Sequence, residues 1–378
     1  MSLRESLKAT LTSRILILAV GLFSIATFGH AANVGPQPAN ELASLPGRWD
    51  AGWYLGIASG GYRWEGPSQH PSRLAFFPAF PMAVRGVARV LHLPDAEPPW
   101  LWTGVILSTG FFLSSLVYLY RLVNQRFGSE SAATSAVWLM ALYPFSIFHG
   151  QMYSESLFLL CAIGATFHIE RSQPWIAAIF GVVAGLTRPV GCLVSLLLVG
   201  PAIPALVEPT GRAWYVRTTF VLACVSPFIG TLLYSAYVYH LTGGWFTWLS
   251  DQEGWGRTVQ NPVVLVGAVV AHVREVGWQR YLLDRPYECI NVVAFAFMAT
   301  MAVPVSRRIG VGPALFMVAA IVLPLRVGGW ASMGRYTAVL FPAFMWLGTK
   351  TRGPVVLVIF AALQALMAAL YYTDRPVF

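Results

Sequence analysis

The chain has 378 residues, of which 56% are hydrophobic and only 11% charged. Soluble domains carry about 25% charged residues, so the composition excludes an ordinary soluble enzyme and indicates a polytopic membrane protein. The net charge of +9 comes from 23 Arg and 2 Lys spread over many short connections. Without a clustered basic face and interleaved aromatics, nucleic-acid binding is excluded too.

Apolar windows long enough to cross a bilayer, about 17–25 residues each, lie near 15–32, 100–120, 131–149, 156–170, 174–187, 190–206, 218–239, 289–306, 310–325, 336–349 and 354–372. They predict an all-α polytopic fold of about eleven transmembrane helices in a single domain, 1–378. The first window is read as a span rather than a cleaved leader, although Arg4, Lys8 and Arg14 precede an apolar core. Every second connection is basic: Arg4, Lys8 and Arg14; Arg121 and Arg126; Arg171; Arg212 and Arg217; Arg307 and Arg308; Lys350 and Arg352. The positive-inside rule places those connections in the cytoplasm, with the N-terminus inside and the C-terminus outside.

One stretch, 76–93, breaks the alternation if it spans. It carries Pro78, Pro81, Arg85 and Arg89 and is read as an amphipathic helix on the outer surface; a true span is the alternative. The outer connections are the long ones: a first loop at 33–99 and a large loop at 240–288, with shorter ones at 150–155, 188–189 and 326–335. Gly and Pro gather there, and irregular backbone at membrane depth is tolerated where it lines a cavity. A single site built from several outer loops is therefore expected.

Asp50 is the first candidate, in Arg48-Trp49-Asp50-Ala51-Gly52-Trp53-Tyr54. If 48–58 is helical, Asp50, Trp53 and Tyr54 share a face at i, i+3 and i+4. A carboxylate in an aromatic nest beside a bilayer suits a general base; a helix cap or an Asp–Arg pair is the plainer alternative. Glu155, at the start of a span and flanked by Ser154 and Ser156, reads either as an acid favoured by the helix dipole or as a second site carboxylate. Arg188 before Pro189, and Arg335 in Gly334-Arg335-Tyr336, stand at outer helix ends with few acids near them in sequence. Two such arginines suit a phosphate; interfacial snorkelling is the alternative. Gln252, Trp255 and Arg257 lie in an aromatic-rich loop suited to an interfacial belt or to stacking on sugar faces. His70, His149, His168, His240 and His272 share no spacing, and the four cysteines show no ligand pattern, so no metal site is assigned. No phosphate-binding or dinucleotide glycine loop is present.

These segments resemble the mannosyltransferase family typified by GPI mannosyltransferase II, within the C-fold glycosyltransferase superfamily. The matching pieces run in the family's order: Arg48-Trp49-Asp50 through Tyr54 to Tyr62; Phe76-Phe77-Pro78-Ala79-Phe80-Pro81; Tyr153-Ser154-Glu155-Ser156-Leu157-Phe158; Thr187-Arg188-Pro189-Val190-Gly191; Gln252 with Trp255-Gly256; and Arg335-Tyr336 with Phe341-Pro342. The Arg-heavy composition, the apolar cysteines and the compact loops look bacterial, so the acceptor of the eukaryotic members is not carried over.

The resemblance implies a polyprenyl-phosphate sugar donor, with mannose expected, and a glycan or glycolipid acceptor. It implies an extracytoplasmic site in the plasma (inner) membrane and an inverting displacement that gives an α-glycoside. Asp50 is then the expected base, and Arg188 and Arg335 the donor-phosphate ligands. Arg48, Trp49, Trp53, Tyr54, Glu155, Gln252, Trp255 and Tyr336 are expected at the substrates. No cofactor is expected, since the lipid-linked sugar is a co-substrate. A divalent ion is not expected either, because the outer loops hold no Asp-x-Asp pair. A transporter or flippase of an envelope lipid is the competing function, and a scaffold of an envelope-assembly complex a third.

Overall fold

The computed structural model describes residues 1–31, 40–64, 66, 71–207, 214–351 and 353–376. His70, Arg212 and Arg352, which figured in the sequence reading, lie outside them. The described chain is helical, with no strand. Each of the eleven apolar windows holds a helix, but they are unequal. Seven helices are long and apolar enough to cross a membrane: Ser2–Phe28, Glu97–Phe127, Pro189–Val207, Trp214–Thr242, Pro286–Arg308, Val311–Gly328 and Val355–Tyr372. An eighth forms if Glu130–Leu142 and Pro144–Gly150 count as one span bent by 80°.

The expected eleven are therefore not reached on length among the described residues. Glu155–Glu170, Pro174–Gly185 and Phe341–Lys350 have 16, 12 and 10 residues, or about 15–24 Å at 1.5 Å per residue, short of a core of about 30 Å. The last begins five residues later than its window because Phe341-Pro342 opens it, proline being suited to a first turn. Ala79–Val90, 12 residues long, is likewise about 18 Å and too short to cross. Apolar side chains such as Ile106, Ile179, Phe228, Leu232, Val303, Leu315 and Val358 are exposed on these helices, as a lipid-facing surface requires.

The connections sort into two ends. At one, Arg126 pairs with Glu170 and donates to the Ile309 carbonyl at 2.9 Å, while Met1, Arg121 and Arg171 line one hollow. At the other, Asp50, Arg188 and Arg335 line a shared cavity. Asp374 joins His30 there at 2.6 Å, and Ala31 donates to the Thr373 carbonyl at 2.9 Å. The two chain ends thus lie at opposite ends of the bundle, which requires an odd number of crossings.

One basic residue departs from the expected grouping. Arg14, placed with Arg4 and Lys8 by the sequence, lies well inside the Ser2–Phe28 helix. It donates to the Ser146 carbonyl and hydroxyl, both at 2.8 Å, and to Ser13 at 3.0 Å, with its guanidinium 5.1 Å from the Phe112 ring centre. The bend at 142–144 exposes backbone carbonyls that an inserted guanidinium can satisfy, which is how such a charge is tolerated in a membrane.

Candidate active site

Local sequence rules place each charged group. Asp50 precedes the Ala51–Gly60 helix, so Asp50, Trp53 and Tyr54 do share a face. Its backbone N–H donates to the Tyr153 hydroxyl at 3.0 Å, which in turn donates to the Arg48 carbonyl at 3.3 Å. Glu155 is the first residue of Glu155–Glu170, where free backbone N–H groups favour an anion. Arg188 is extended, φ −155° and ψ 155°, between Pro174–Gly185 and the 3-10 turn Pro189–Val194, because Pro189 disfavours a helical residue before it.

Close approaches at two glycines fix these segments. A Cβ on Gly185 would sit 2.0 Å from the Pro227 carbonyl oxygen. Only glycine lets the helix that leads to Arg188 lie so close to Trp214–Thr242. A Cβ on Gly334 would sit 2.0 Å from the Phe145 ring, and the Gly334 N–H donates to Asn291 Oδ1 at 2.7 Å. That seats Arg335 against the 144–150 turn. Positive φ at non-glycine residues is uncommon; Trp49 (φ 54°) and Ser332 (φ 61°) show it, one and three residues before Asp50 and Arg335. Such strain costs about 1–3 kcal/mol and gathers at functional sites.

The side chains converge on Arg335, which is 6% exposed. Its Nε donates to Glu155 and its Nη1 to Asp50, while its guanidinium lies 4.5 Å from the Tyr153 ring centre. Arg188 reaches the same Glu155 oxygen at 3.1 Å and lies 5.3 Å from the Tyr336 ring centre. Two carboxylates and two guanidinium groups, from four segments far apart in sequence, thus form one charge-balanced cluster. Glu155 is wholly buried, whereas the Asp50 side chain keeps 21% exposure. Only Asp50 of the two carboxylates can meet an incoming group.

Three members of that cluster, Asp50, Arg188 and Arg335, form the floor of a cavity of about 380 Å³, with Glu155 buried behind them. Asp50, Tyr54, Arg188, Gln252, Trp255, Arg335 and Tyr336 line it. Tyr54 shares a hydrogen bond with the Ser154 hydroxyl at 2.8 Å, and burial pushes its phenol up to about 12, so it stays a neutral O–H. Gln252 Oε1 accepts from Arg257 at 2.7 Å. Trp53 stands behind the lining, 4.9 Å from Trp255 and 5.8 Å from Phe76 between ring centres. The Nε1 donor of Trp255 and Nη1 of Arg188 are buried without a hydrogen-bond partner.

Several expected roles come out differently. Arg188 and Arg335 are not short of acids, because folding brings Glu155 to both and Asp50 to one. Arg48 does not line the cavity; its guanidinium pairs with Glu41 and lies 3.6 Å from Asp374, and His30 bridges those two acids at 3.3 and 2.6 Å. Trp49 does not line it either and is 37% exposed. Phe76, Phe77, Thr187, Trp248 and Arg326, which the sequence reading did not single out as site residues, do line it. The available signals were Phe76-Phe77 and Thr187, already quoted within family-like segments. Among the described residues no three His, Cys, Asp or Glu side chains are grouped to hold a metal, and a guanidinium stands between Asp50 and Glu155.

The fold and this cluster define a multi-pass helical membrane protein in which two carboxylates and two guanidinium groups meet at one end of the bundle. The family model described as mannosyltransferase (PIG-V) matches residues 33–253, more than half of the chain, and the protein belongs to that family. It is 30% identical over 188 residues to GPI mannosyltransferase 2 of Drosophila pseudoobscura pseudoobscura, covering 44% of this chain and 40% of that one. It is also 30% identical over 202 residues to GPI alpha-1,6-mannosyltransferase 2 of Rattus norvegicus, covering 49% and 40%. The matched stretch thus spans about two-fifths of these relatives' length. Among solved structures, the apo Archaeoglobus fulgidus oligosaccharyltransferase aligns at 12% identity and a TM-score of 0.47, over 96% of this chain and 56% of that one. The family match stops before Trp255 and Arg335, and the ion pairs of Arg335 join that later segment to Asp50 and Glu155 within it.

Proposed function

We propose that this protein is a glycosyltransferase that moves a sugar, mannose by family, from a polyprenyl-phosphate donor to a glycan or glycolipid acceptor. The side is the extracytoplasmic face of the plasma (inner) membrane, because the basic connections gather at the end opposite the cavity. The observation that carries the reading is the accessible Asp50, fixed in orientation by Arg335 on the floor of a cavity with aromatic walls.

In the reaction, an acceptor hydroxyl oxygen attacks the anomeric carbon as its proton passes to Asp50. The bond from that carbon to the phosphate oxygen breaks, and its electron pair leaves with the lipid phosphate. Attack opposite the leaving group turns a β-linked donor into an α-glycoside. Asp50 takes the proton as a carboxylate, and the Arg335 guanidinium holds that carboxylate in place. Arg188, with an Nη1 donor to spare, can hydrogen-bond the sugar or the oxygen that gains charge. Trp255 and Phe76 offer apolar ring faces to the sugar's C–H surface.

The test is transfer by purified protein in nanodiscs, supplied with polyprenyl-phosphate mannose carrying a radiolabelled sugar and a panel of glycan and glycolipid acceptors. Label in an acceptor is the expected result. A panel with no transfer and no release of free polyprenyl phosphate would overturn the reading.

A further inference from the structure

Charge accounting within the cavity separates its arginines into two kinds. Arg188 and Arg335 are matched one for one by Glu155 and Asp50. A dianionic or monoanionic phosphate placed against that cluster would meet no net positive charge. Arg257 and Arg326 line the same cavity, and among the described residues neither has a carboxylate partner. Arg257 donates only to the neutral Gln252. Among the described residues Arg326 is engaged through its backbone alone, its carbonyl accepting from the Gln260 N–H at 2.7 Å.

Their position gives the pair a direction. Arg326 lies in the last turn of Val311–Gly328, a helix long and apolar enough to span. One turn earlier Leu323 lines the cavity and is also 45% exposed on that helix. The cavity therefore reaches the lipid-facing flank of a span at the place where the two unmatched arginines stand. Arg257 closes over Gly328, where a Cβ would lie 3.7 Å from its Nε. An isoprenoid or acyl chain lying along Leu323 in the bilayer would present its headgroup to this pair.

We propose that Arg257 and Arg326 form the grip for a lipid-borne phosphate, leaving the balanced cluster around Arg335 to the sugar and the proton. This rests on the glycosyltransferase reading for its assay but not for its binding chemistry. Planar guanidinium groups hold phosphate bidentately, and the phosphate can belong to the donor or to a phospholipid acceptor. Snorkelling to the bilayer surface is the ordinary use of such residues, and it predicts no effect on either substrate.

The experiment compares wild type with Arg326→Gln, Arg257→Lys and the Arg257→Gln/Arg326→Gln pair in nanodiscs. Arg326→Gln removes no internal side-chain bond, and Arg257→Lys keeps the charge, so at least these two retain the fold. Each single substitution is expected to raise one KM by roughly tenfold and the pair by roughly a hundredfold, the size of a lost charged hydrogen bond, with kcat within a few-fold. A rise in donor KM, together with weaker inhibition by free polyprenyl monophosphate, assigns the pair to the donor. A rise confined to the KM of a phospholipid acceptor assigns it there. Both KM values within twofold of wild type in the double variant would overturn the proposal while the enzyme reading stands. If wild type shows no transfer, binding of polyprenyl monophosphate and of an anionic phospholipid is compared directly, and equal binding of both by wild type and the double variant overturns it.

Discussion

The two ends of the bundle each hold a salt bridge between helices, yet they differ in kind. At the basic end Arg126 and Glu170 join neighbouring helices, with the arginine 20% exposed and an adjacent carbonyl taking one more donor. At the cavity end Arg335 joins Asp50 and Glu155, with Glu155 wholly buried and a second arginine on the same oxygen. Both members of the first pair keep some contact with water, at 20% and 11% exposure, and among the described residues neither shares its partner with a second ion. Removing Glu155 from the second group leaves the buried Arg188 without its carboxylate partner, and breaking a buried pair in that way costs about 3–5 kcal/mol. Such an arrangement is poor as a staple, since apolar residues of the same volume are often as stable. Its presence points to chemistry rather than stability.

Glu155→Gln is the harshest way to break that contrast. It should leave Arg188 and Arg335 without their shared partner, lower stability by about 3–5 kcal/mol and abolish transfer. Thermal unfolding in detergent and the radiolabel assay read both effects. A variant that unfolds like wild type and keeps its turnover would make Glu155 a plain helix-start acid.

Asp50→Asn should act on rate rather than fold, since the amide keeps the size and still accepts from Arg335 but takes no proton. Loss of a general base costs about 10²–10⁴ in rate. Turnover within a few-fold of wild type, with unfolding unchanged, would remove Asp50 from the mechanism.

How much of this could be read in advance depended on the range of the interaction. The helices are written locally, in apolar runs and in punctuation such as Pro342, and every predicted window holds one. Their lengths were less legible, because the windows ran past breaks at 142–144 and 336–340 that tertiary packing decides. Asp50, Glu155, Arg188 and Arg335 could each be named from residue type and place. Their mutual pairing could not, since sequence separations of up to 285 residues carry no periodic signal. The expectation of acid-poor arginines failed for that reason. Arg14 was misplaced for a related one: its partners are the carbonyl and hydroxyl of Ser146, 132 residues away.

The opposite end supplies the mild control. Arg126→Gln should change stability by about 1 kcal/mol or less, the usual worth of a partly exposed pair, and leave transfer within a few-fold. A loss comparable to Glu155→Gln would erase the distinction between the ends. Their sidedness can be sharpened with single cysteines at Leu249, which lines the cavity, and at Arg308, in a background lacking the four native cysteines. An impermeant maleimide applied to intact cells should label 249 and not 308. Labelling of 308 alone would invert the molecule in the membrane and move the proposed site to the cytoplasm.

The smallest expected effect is that of a chelator. A divalent ion would want several oxygen ligands in near-octahedral array, and two carboxylates, Asp50 and Glu155, come together at this end of the cavity. The space between them is taken by the Arg335 guanidinium, which already supplies the positive charge an ion would bring. A leaving lipid monophosphate also carries less charge than a nucleoside diphosphate, so arginines can offset it. Transfer should therefore persist in EDTA, at a rate within a few-fold of the untreated enzyme. Activity that disappears with EDTA and returns with Mg²⁺ or Mn²⁺ would require Arg335 to swing away and would recast Asp50 as a ligand. In that case Arg335→Gln should tighten the metal requirement, whereas with no metal role the same substitution should simply lower the rate.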